Sequence, residues 1–202
     1  PDLIVLAAYG HLISSSVLAI PSKGSLNVHP SLLPLFRGSC PVQTAILQGA
    51  KSTGVSIMLM DEEIDHGPIL MQKELVTPLS SLGYTEAKQQ LAELGGDLIS
   101  QVIPDWIAGK VVPIDQNHDN ATYTEQLTRD SGKIDWTKSA EEIERQVRAL
   151  NPWPGTFTFA GDIRVKILSA EVLKGAPEKS PGETFSGSDN TIAVVTGRDT
   201  LL

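Results

Sequence analysis

Residues 24–38, GSLNVHPSLLPLFRG, contain the change from strand to loop on which the prediction of the fold depends. Residues 25–29 are predicted to form a strand, and the two prolines that follow fix the path of a loop, because proline cannot donate to a β ladder. Upstream, residues 3–8 are apolar without alternation, as in a strand covered on both faces of a parallel sheet. Residues 12–20 are predicted to form a short helix between the two strands. This order indicates an α/β fold.

The same alternation continues downstream. Residues 41–50 have apolar positions at helical spacing, and residues 54–60 and 69–76 are predicted to be strands. Residues 84–107 form the longest helical pattern, although the pair Gly95 and Gly96 inside it could end one helix. We therefore predict an open, mostly parallel, doubly wound sheet that binds its ligand beyond the carboxyl ends of the strands.

The remainder of the chain predicts a different kind of domain. Ser139 and Glu142 have the spacing of a capping box at the start of an amphipathic helix, which the sequence NPWPG ends. Short β-rich segments follow, separated by Gly, Pro, Ser and Asp, and they indicate a small antiparallel domain or partial barrel. The predicted organisation is an α/β domain over residues 1–109, a linker over 110–127 and the β domain over 128–202.

The charge of the chain excludes one mode of nucleic-acid binding. Sixteen basic and 24 acidic side chains in 202 residues give a net charge of −8, so bulk positive charge cannot attract a polyanion. A nucleic-acid partner needs a local basic face, which Arg145, Arg148, Arg164 and Lys166 could form. The alternative is that these are solvated side chains of an amphipathic surface.

Cysteine content and hydropathy bear on the compartment. The single cysteine, Cys40, excludes an intramolecular disulfide and is typical of a reducing compartment. No window approaches the roughly 20 apolar residues of a membrane helix. We predict a soluble, cytoplasmic protein from these two features.

Three polar residues are the candidates for chemistry. Asn27 and His29 are two positions apart on a predicted strand and therefore point to the same side. An amide and an imidazole together can donate to a developing oxyanion. Asp65, in the loop DEEIDHG, is the candidate acid that would hold the imidazole and raise its pKa above about 6.5. Asn and Asp near turns also act simply as caps or turn formers, and this interpretation stays open.

Other chemistries have less support from the sequence. His29, Asp65 and His66 lack the usual spacing of metal ligands, and no metal is expected. Ser31 has no nucleophile elbow around it, and Cys40 is expected to be an inert buried thiol rather than a nucleophile.

Four segments together resemble the methionyl-tRNA formyltransferase family. They are NVHPSLLPLFRG (27–38), GVSIMLMDEEIDHGPIL (54–70), GKIDW (132–136) and RALNPWPGTF (148–157). The first two segments are shared by enzymes that use 10-formyltetrahydrofolate and indicate the chemistry; the last two indicate the tRNA acceptor. The resemblance implies formyl transfer to the α-amino group of initiator methionyl-tRNA, for translation initiation, with no metal and no membrane partner.

The resemblance also implies roles for particular residues. Asn27, His29 and Asp65 match the catalytic residues of the family. The expected folate-binding residues are Tyr9, Gly10, Ser31, Leu32, Leu33 and Pro34. Residues 1–109 correspond to the carboxyl-terminal portion of the catalytic domain, and residues 128–202 to part of an OB-like barrel that holds tRNA. The expected tRNA-binding residues are Arg145, Arg148, Arg164 and Lys166.

The resemblance further predicts that the chain is a fragment. The amino-terminal βαβ half of the catalytic domain and the last part of the barrel are expected to be missing, and activity is expected only from the complete protein. The alternatives are a formyltransferase for an amino sugar or a nucleotide, a 10-formyltetrahydrofolate hydrolase, and a folate- or RNA-binding module without activity.

Overall fold

A four-stranded sheet organises the first part of the chain in this computed structural model, which describes residues 1–187 and 191–202. The strands, in spatial order, are β1 (Ile4–Ala7), β2 (Ser25–His29), β3 (Gly54–Leu59) and β4 (Ile69–Glu74). β1 and β2 are parallel, whereas β2–β3 and β3–β4 are antiparallel. The predicted α/β class is confirmed, and the sheet is mixed: one of these three strand pairs is parallel, fewer than expected from the apolar strand sequences.

Helices connect and cover these strands. They are α1 (Ser15–Leu18), α2 (Pro41–Leu47) and α3 (Tyr84–Ile107). α3 continues through Gly95 and Gly96 rather than ending there. A Cβ atom on Gly95 would lie 2.7 Å from Cγ1 of Val28, so the missing side chain allows α3 to lie close against β2. The glycine that lowers helix propensity is therefore explained by packing.

The carboxyl-terminal part of the chain contains one α-helix and six short strands within the described residues. These are α4 (Ala140–Leu150), β5 (Thr156–Ala160), β6 (Ile163–Ile167), β7 (Val172–Leu173), β8 (Thr184–Ser186), β9 (Ile192–Val195) and β10 (Thr200–Leu201). Four of them form an antiparallel sheet in the order β7-β10-β9-β8, and β5 pairs with β6 alone. No closed barrel forms among the residues described.

α4 begins and packs as its sequence predicts. The Ser139 side chain accepts a hydrogen bond from the Glu142 backbone, and the Glu142 carboxylate accepts one from the Ser139 backbone, which confirms the capping box. Ile143, Val147 and Leu150 form the buried face of the helix. Ile143 joins a core cluster with Ile134, Ala140 and Leu201.

The described chain divides into two compact units. The first comprises residues 1–45, 50–82 and 86–126, and the second comprises 46–49, 83–85 and 127–202. Most of the segment expected as a linker, residues 110–126, thus lies in the first unit. None of the helices in the two described ranges is both long enough and apolar enough to span a lipid bilayer.

Candidate active site

β2 and the loop after β3 bring Asn27, His29 and Asp65 together. Nδ2 of Asn27 donates to Oδ1 of Asp65 at 3.3 Å, and Nδ1 of His29 lies 3.5 Å from Oδ2 of the same carboxylate. The side chains of Asn27 and His29 lie on the same side of β2, as predicted from their spacing. One acid therefore contacts both side chains through different oxygens.

The acid reaches this place by a different route from the one expected. Because β3 is antiparallel to β2, its last residue, Leu59, pairs with Leu26, near the amino end of β2. A parallel sheet would have placed the loop after β3 at the carboxyl end of β2. Residues 61–67 instead fold back along the sheet toward Asn27, so the rule that ligands bind beyond the carboxyl ends does not describe this loop.

The imidazole of His29 is buried, with 5% of its side chain exposed. Nε2 lies 3.1 Å from the carbonyl oxygen of Phe36, on the other side of the ring from Asp65. Burial lowers the pKa of His29 below its ordinary value, although the Asp65 carboxylate and the Phe36 carbonyl both oppose this shift. Asp65 does raise this pKa, as predicted, but the predicted net rise above about 6.5 is wrong because desolvation outweighs the carboxylate.

Asp65 occupies a turn that its neighbours define closely. Its backbone lies in the left-handed region, with φ of 49°, a conformation that aspartate tolerates better than most residues. The backbone N–H of Gly38 donates to Oδ2 at 2.7 Å. On the other side of the turn, Nε2 of Gln116 donates to the carbonyl oxygens of Asp65 and Gly67 at 2.9 and 2.8 Å.

A buried serine holds the loop that follows β2. Oγ of Ser56 on β3 donates to the carbonyl of Ser31 at 2.6 Å and accepts from the backbone N–H of Leu33 at 3.0 Å. Gln72 on β4 donates to Oγ of Ser56 at 2.8 Å and to the carbonyl of Leu33 at 2.7 Å. Both strands therefore determine the position of the Ser31–Leu33 backbone.

The expected folate residues lie in two places. Ser31 and Leu33 are buried, and Leu32 and Pro34 are half-buried beside them. Oγ of Ser31 donates to the carbonyl of Leu35 at 2.6 Å, so this hydroxyl stabilises the loop itself. Tyr9 and Gly10 follow β1 and are exposed. Among the described residues, neither forms a hydrogen bond or a ring contact to the 31–34 loop.

The four expected tRNA-binding residues also separate into two pairs. On α4, Nε of Arg145 donates to the carbonyl of Leu47 at 3.1 Å, and Nε of Arg148 pairs with Glu144 at 2.8 Å. On β6, Arg164 and Lys166 are two positions apart and both exposed. The guanidinium of Arg164 lies 3.8 Å from the centre of the Phe157 ring. The pair on β6 is thus presented to solvent, whereas the pair on α4 makes internal contacts.

Sequence reasoning missed several residues that hold the site. Ser56 had a signal in the sequence, because it is a polar residue inside the apolar strand sequence VSIML. In the structure it is fully buried, where a polar group needs hydrogen-bond partners. Gln72 lies opposite Ser56 in the strand register. Gln116 and Arg37 had no periodic signal, since both lie in irregular segments.

The remaining candidates for chemistry in the sequence were the Cys40 thiol and a metal site. Cys40 is buried, and its Sγ lies 3.5 Å from Oγ of Ser39. Across residues 1–187 and 191–202, no three His, Cys, Asp or Glu side chains are grouped as metal ligands would be.

Comparison with sequence families matches both parts of the chain. The model for the formyl transferase domain matches residues 1–103, and that for the formyl transferase C-terminal domain matches residues 126–202. The methionyl-tRNA formyltransferase of Marinobacter nauticus is 42% identical over all 202 residues, and that of Chloroflexus aurantiacus is 43% identical over 204 aligned residues. The chain spans 64% and 65% of the lengths of these two relatives.

Solved structures show the same fold at lower identity. HypX from Aquifex aeolicus, in complex with tetrahydrofolic acid, superposes on 100% of the chain with a TM-score of 0.76 and 19% identity, and the match covers 35% of that protein. A 4-N formyltransferase from Francisella tularensis superposes on 82% of the chain with a TM-score of 0.71 and 24% identity, over 69% of its own length.

Proposed function

Because the chain belongs to the formyl transferase family, we propose that the protein transfers a formyl group from 10-formyltetrahydrofolate to the α-amino group of methionyl initiator tRNA. The observation that carries the proposal is the convergence of Asn27, His29 and Asp65 through the two oxygens of one carboxylate. The choice of acceptor is supported by relatives named methionyl-tRNA formyltransferase, which are similar to both parts of the chain.

Asn27 is the proposed donor to the oxyanion. Its amide has two N–H groups, and the hydrogen bond to Asp65 uses one of them. The side chain is half-buried, so it is accessible to a substrate while it remains shielded from bulk water. A fixed, uncharged donor in such a place stabilises negative charge as it develops on the former formyl oxygen.

His29 is the proposed proton acceptor for the attacking amine. As the tetrahedral intermediate collapses, the bond from the formyl carbon to N10 of the folate breaks, and the same proton passes to N10, which leaves as tetrahydrofolate. Burial lowers the pKa of His29 and so favours the neutral ring at pH 7. Once the ring takes up a proton, both nitrogens become donors, and Asp65 and the Phe36 carbonyl are placed on either side to accept from them. The role of His29 in oxyanion binding, which the residue types suggested, requires that Nε2 leave the Phe36 carbonyl.

The proposal assigns substrate binding to the two parts of the chain. The catalytic domain, residues 1–109, would hold the folate along Ser31, Leu32, Leu33 and Pro34, with Tyr9 and Gly10 at its edge. A linker over 110–127 would lead to the OB-like part, residues 128–202, which would hold the tRNA. We place the protein in the cytoplasm, or in an organelle with bacterial-type translation, where both substrates occur.

The acceptor is tested by a direct comparison of substrates. The intact protein is incubated with 10-formyltetrahydrofolate in three separate reactions. The acceptor is methionyl initiator tRNA in the first, a nucleotide-linked amino sugar in the second and water alone in the third. We expect formyl-methionyl-tRNA as the main product. Faster formylation of the sugar, or release of formate without an acceptor, would instead identify one of the alternative enzymes.

The oxyanion role is tested by replacing its donor. Loss of one such hydrogen bond raises a barrier by about 3–4 kcal/mol, so Asn27→Ala is expected to lower turnover about 100- to 1000-fold while the fold persists. Asn151→Ala is not a suitable control, because that side chain also bonds to the backbone. Gln101→Ala, which removes an exposed amide from α3, is preferable, and it should leave turnover unchanged. A folded Asn27→Ala variant with turnover within a few-fold of wild type would remove Asn27 from the reaction.

The tRNA surface is tested through the salt dependence of binding. Since Arg164 and Lys166 are exposed side by side on β6, we expect Arg164→Ala with Lys166→Ala to reduce the slope of log K against log salt by about 1–2. Lys110→Ala removes a positive charge elsewhere and should leave the slope unchanged. An unaltered slope in the double variant would exclude these two residues from the interface.

A further inference from the structure

Gln116 contacts both the turn of the proposed catalytic acid and a buried cation. The residue is buried, with 5% of its surface exposed. Its Nε2 donates to the carbonyls of Asp65 and Gly67, and its Oε1 accepts from Nε of Arg37 at 3.2 Å and from Nη2 of Arg37 at 2.7 Å. All four hydrogen-bonding positions of the amide are therefore used.

Arg37 determines which way this amide faces. A guanidinium has donors and no acceptor, so the oxygen of Gln116 must point toward it and the NH2 group must point toward the Asp65 turn. Arg37 is itself held by the hydroxyl of Tyr123 at 3.1 Å and by Nδ1 of His118 at 2.9 Å. Its backbone bonds to Thr122 and Thr124 at 2.8 Å on each side.

The turn at Asp65 needs such support. A non-glycine residue at φ of 49° costs about 1–3 kcal/mol, and surrounding contacts must hold it there. The carboxylate oxygens contact Asn27, His29 and Gly38, whereas the backbone carbonyl faces Gln116. A rotation of this backbone away from the left-handed region would swing the carboxylate away from all three groups.

We propose that Gln116 is a positioning residue for the reaction: through its NH2 group it holds Asp65 in the left-handed turn that directs the carboxylate at Asn27 and His29. This inference rests on the proposed function for its consequence in catalysis, but the placement of the carboxylate can be measured without any reaction. The segment around Gln116, expected to be a linker, then forms part of the active site.

Two substitutions separate positioning from folding. Gln116→Glu keeps an acceptor oxygen for Arg37, with which it forms a buried ion pair, but an oxygen replaces the NH2 group and cannot donate to Asp65 and Gly67. Gln116→Ala loses both sets of contacts. Gln101→Glu introduces the same charge on the exposed side of α3 and serves as the control.

Formyl transfer by the intact protein gives the first measurement. We expect kcat to fall about 10- to 100-fold in both Gln116 variants. Without the NH2 contact to the turn, the Asp65 carboxylate is no longer held in contact with Asn27 and His29. KM for either substrate should stay within about three-fold, since Gln116 is not proposed to touch substrate. Gln101→Glu should match wild type. A folded Gln116→Glu variant with wild-type kcat would overturn the inference.

Hydrogen exchange of the Gly38 amide gives the second measurement, which needs no substrate. That N–H donates to Oδ2 of Asp65, so release of the turn should speed its exchange about 10-fold or more in both variants, while the Val102 amide in α3 stays protected. Unchanged exchange at Gly38 would overturn the positioning role. If wild type transfers no formyl group, the proposed function fails, and the Gly38 result still decides the role of Gln116.

Discussion

Replacement of Ser56 by alanine tests how the loop after β2 is held. Ser56 is fully buried, and its hydroxyl makes one hydrogen bond as donor and two as acceptor. Ser56→Ala deprives the Leu33 N–H and the Ser31 carbonyl of this partner, while Gln72 keeps its bond to the Leu33 carbonyl. At about 1–3 kcal/mol for each of the two buried groups left unsatisfied, the free energy of unfolding should fall by about 2–6 kcal/mol.

Urea denaturation followed by circular dichroism measures this loss, and the chain offers a matched control. Oγ of Ser100 donates to the carbonyl of Gly96 on the exposed side of α3, so Ser100→Ala removes a hydroxyl that solvent can replace. Its effect should stay within about 0.5 kcal/mol. If Ser56→Ala were as mild as Ser100→Ala, the three hydrogen bonds would not determine the loop. Folate binding measured on the folded variant should weaken as well.

Two further predictions concern stability. Because burial lowers the pKa of His29, the unfolded chain takes up a proton that the folded site resists. Stability due to this residue is therefore present above about pH 6.5 and is lost as pH falls below it, by up to about 1.4 kcal/mol per pH unit. The difference in unfolding free energy between wild type and His29→Gln should shrink from pH 7 to pH 5, and parallel curves would contradict the burial argument. In α3, Gly95→Ala brings a methyl group against Val28 and should cost about 1–3 kcal/mol, whereas Gly96→Ala, with open space around it, should gain up to about 1 kcal/mol. Thermal denaturation of this pair decides the matter, since equal melting temperatures would mean that α3 does not lie close to β2.

Local patterns predicted the elements of the fold well. β2 occupies residues 25–29 as expected, and the capping box at Ser139 starts α4. These features depend on neighbours a few residues apart, which the sequence displays directly. The direction in which β3 pairs with β2 depends on connections that periodicity does not encode, so the mixed sheet was not foreseen.

The candidate site was also predicted only in part, because some of its features depend on contacts between residues distant in sequence. Asn27, His29 and Asp65 carry recognisable chemistry, and the structure brings them together. The pKa of His29 was predicted in the wrong direction because its burial depends on residues distant in sequence. Gln116 was missed because nothing in an irregular segment distinguishes a buried amide from a solvated one.

Residues 111–124 belong to the first unit, which determines where that unit can be separated from the rest of the chain. This segment pairs with β4 at Ile69 through Ile114 and flanks Arg37 with Thr122 and Thr124. A truncation after residue 103 or 109 would remove this segment and its backbone hydrogen bonds. It would also remove Gln116, the amide partner of the Arg37 guanidinium. A truncation meant to keep the first unit intact should therefore be placed beyond Gln126, where that unit ends.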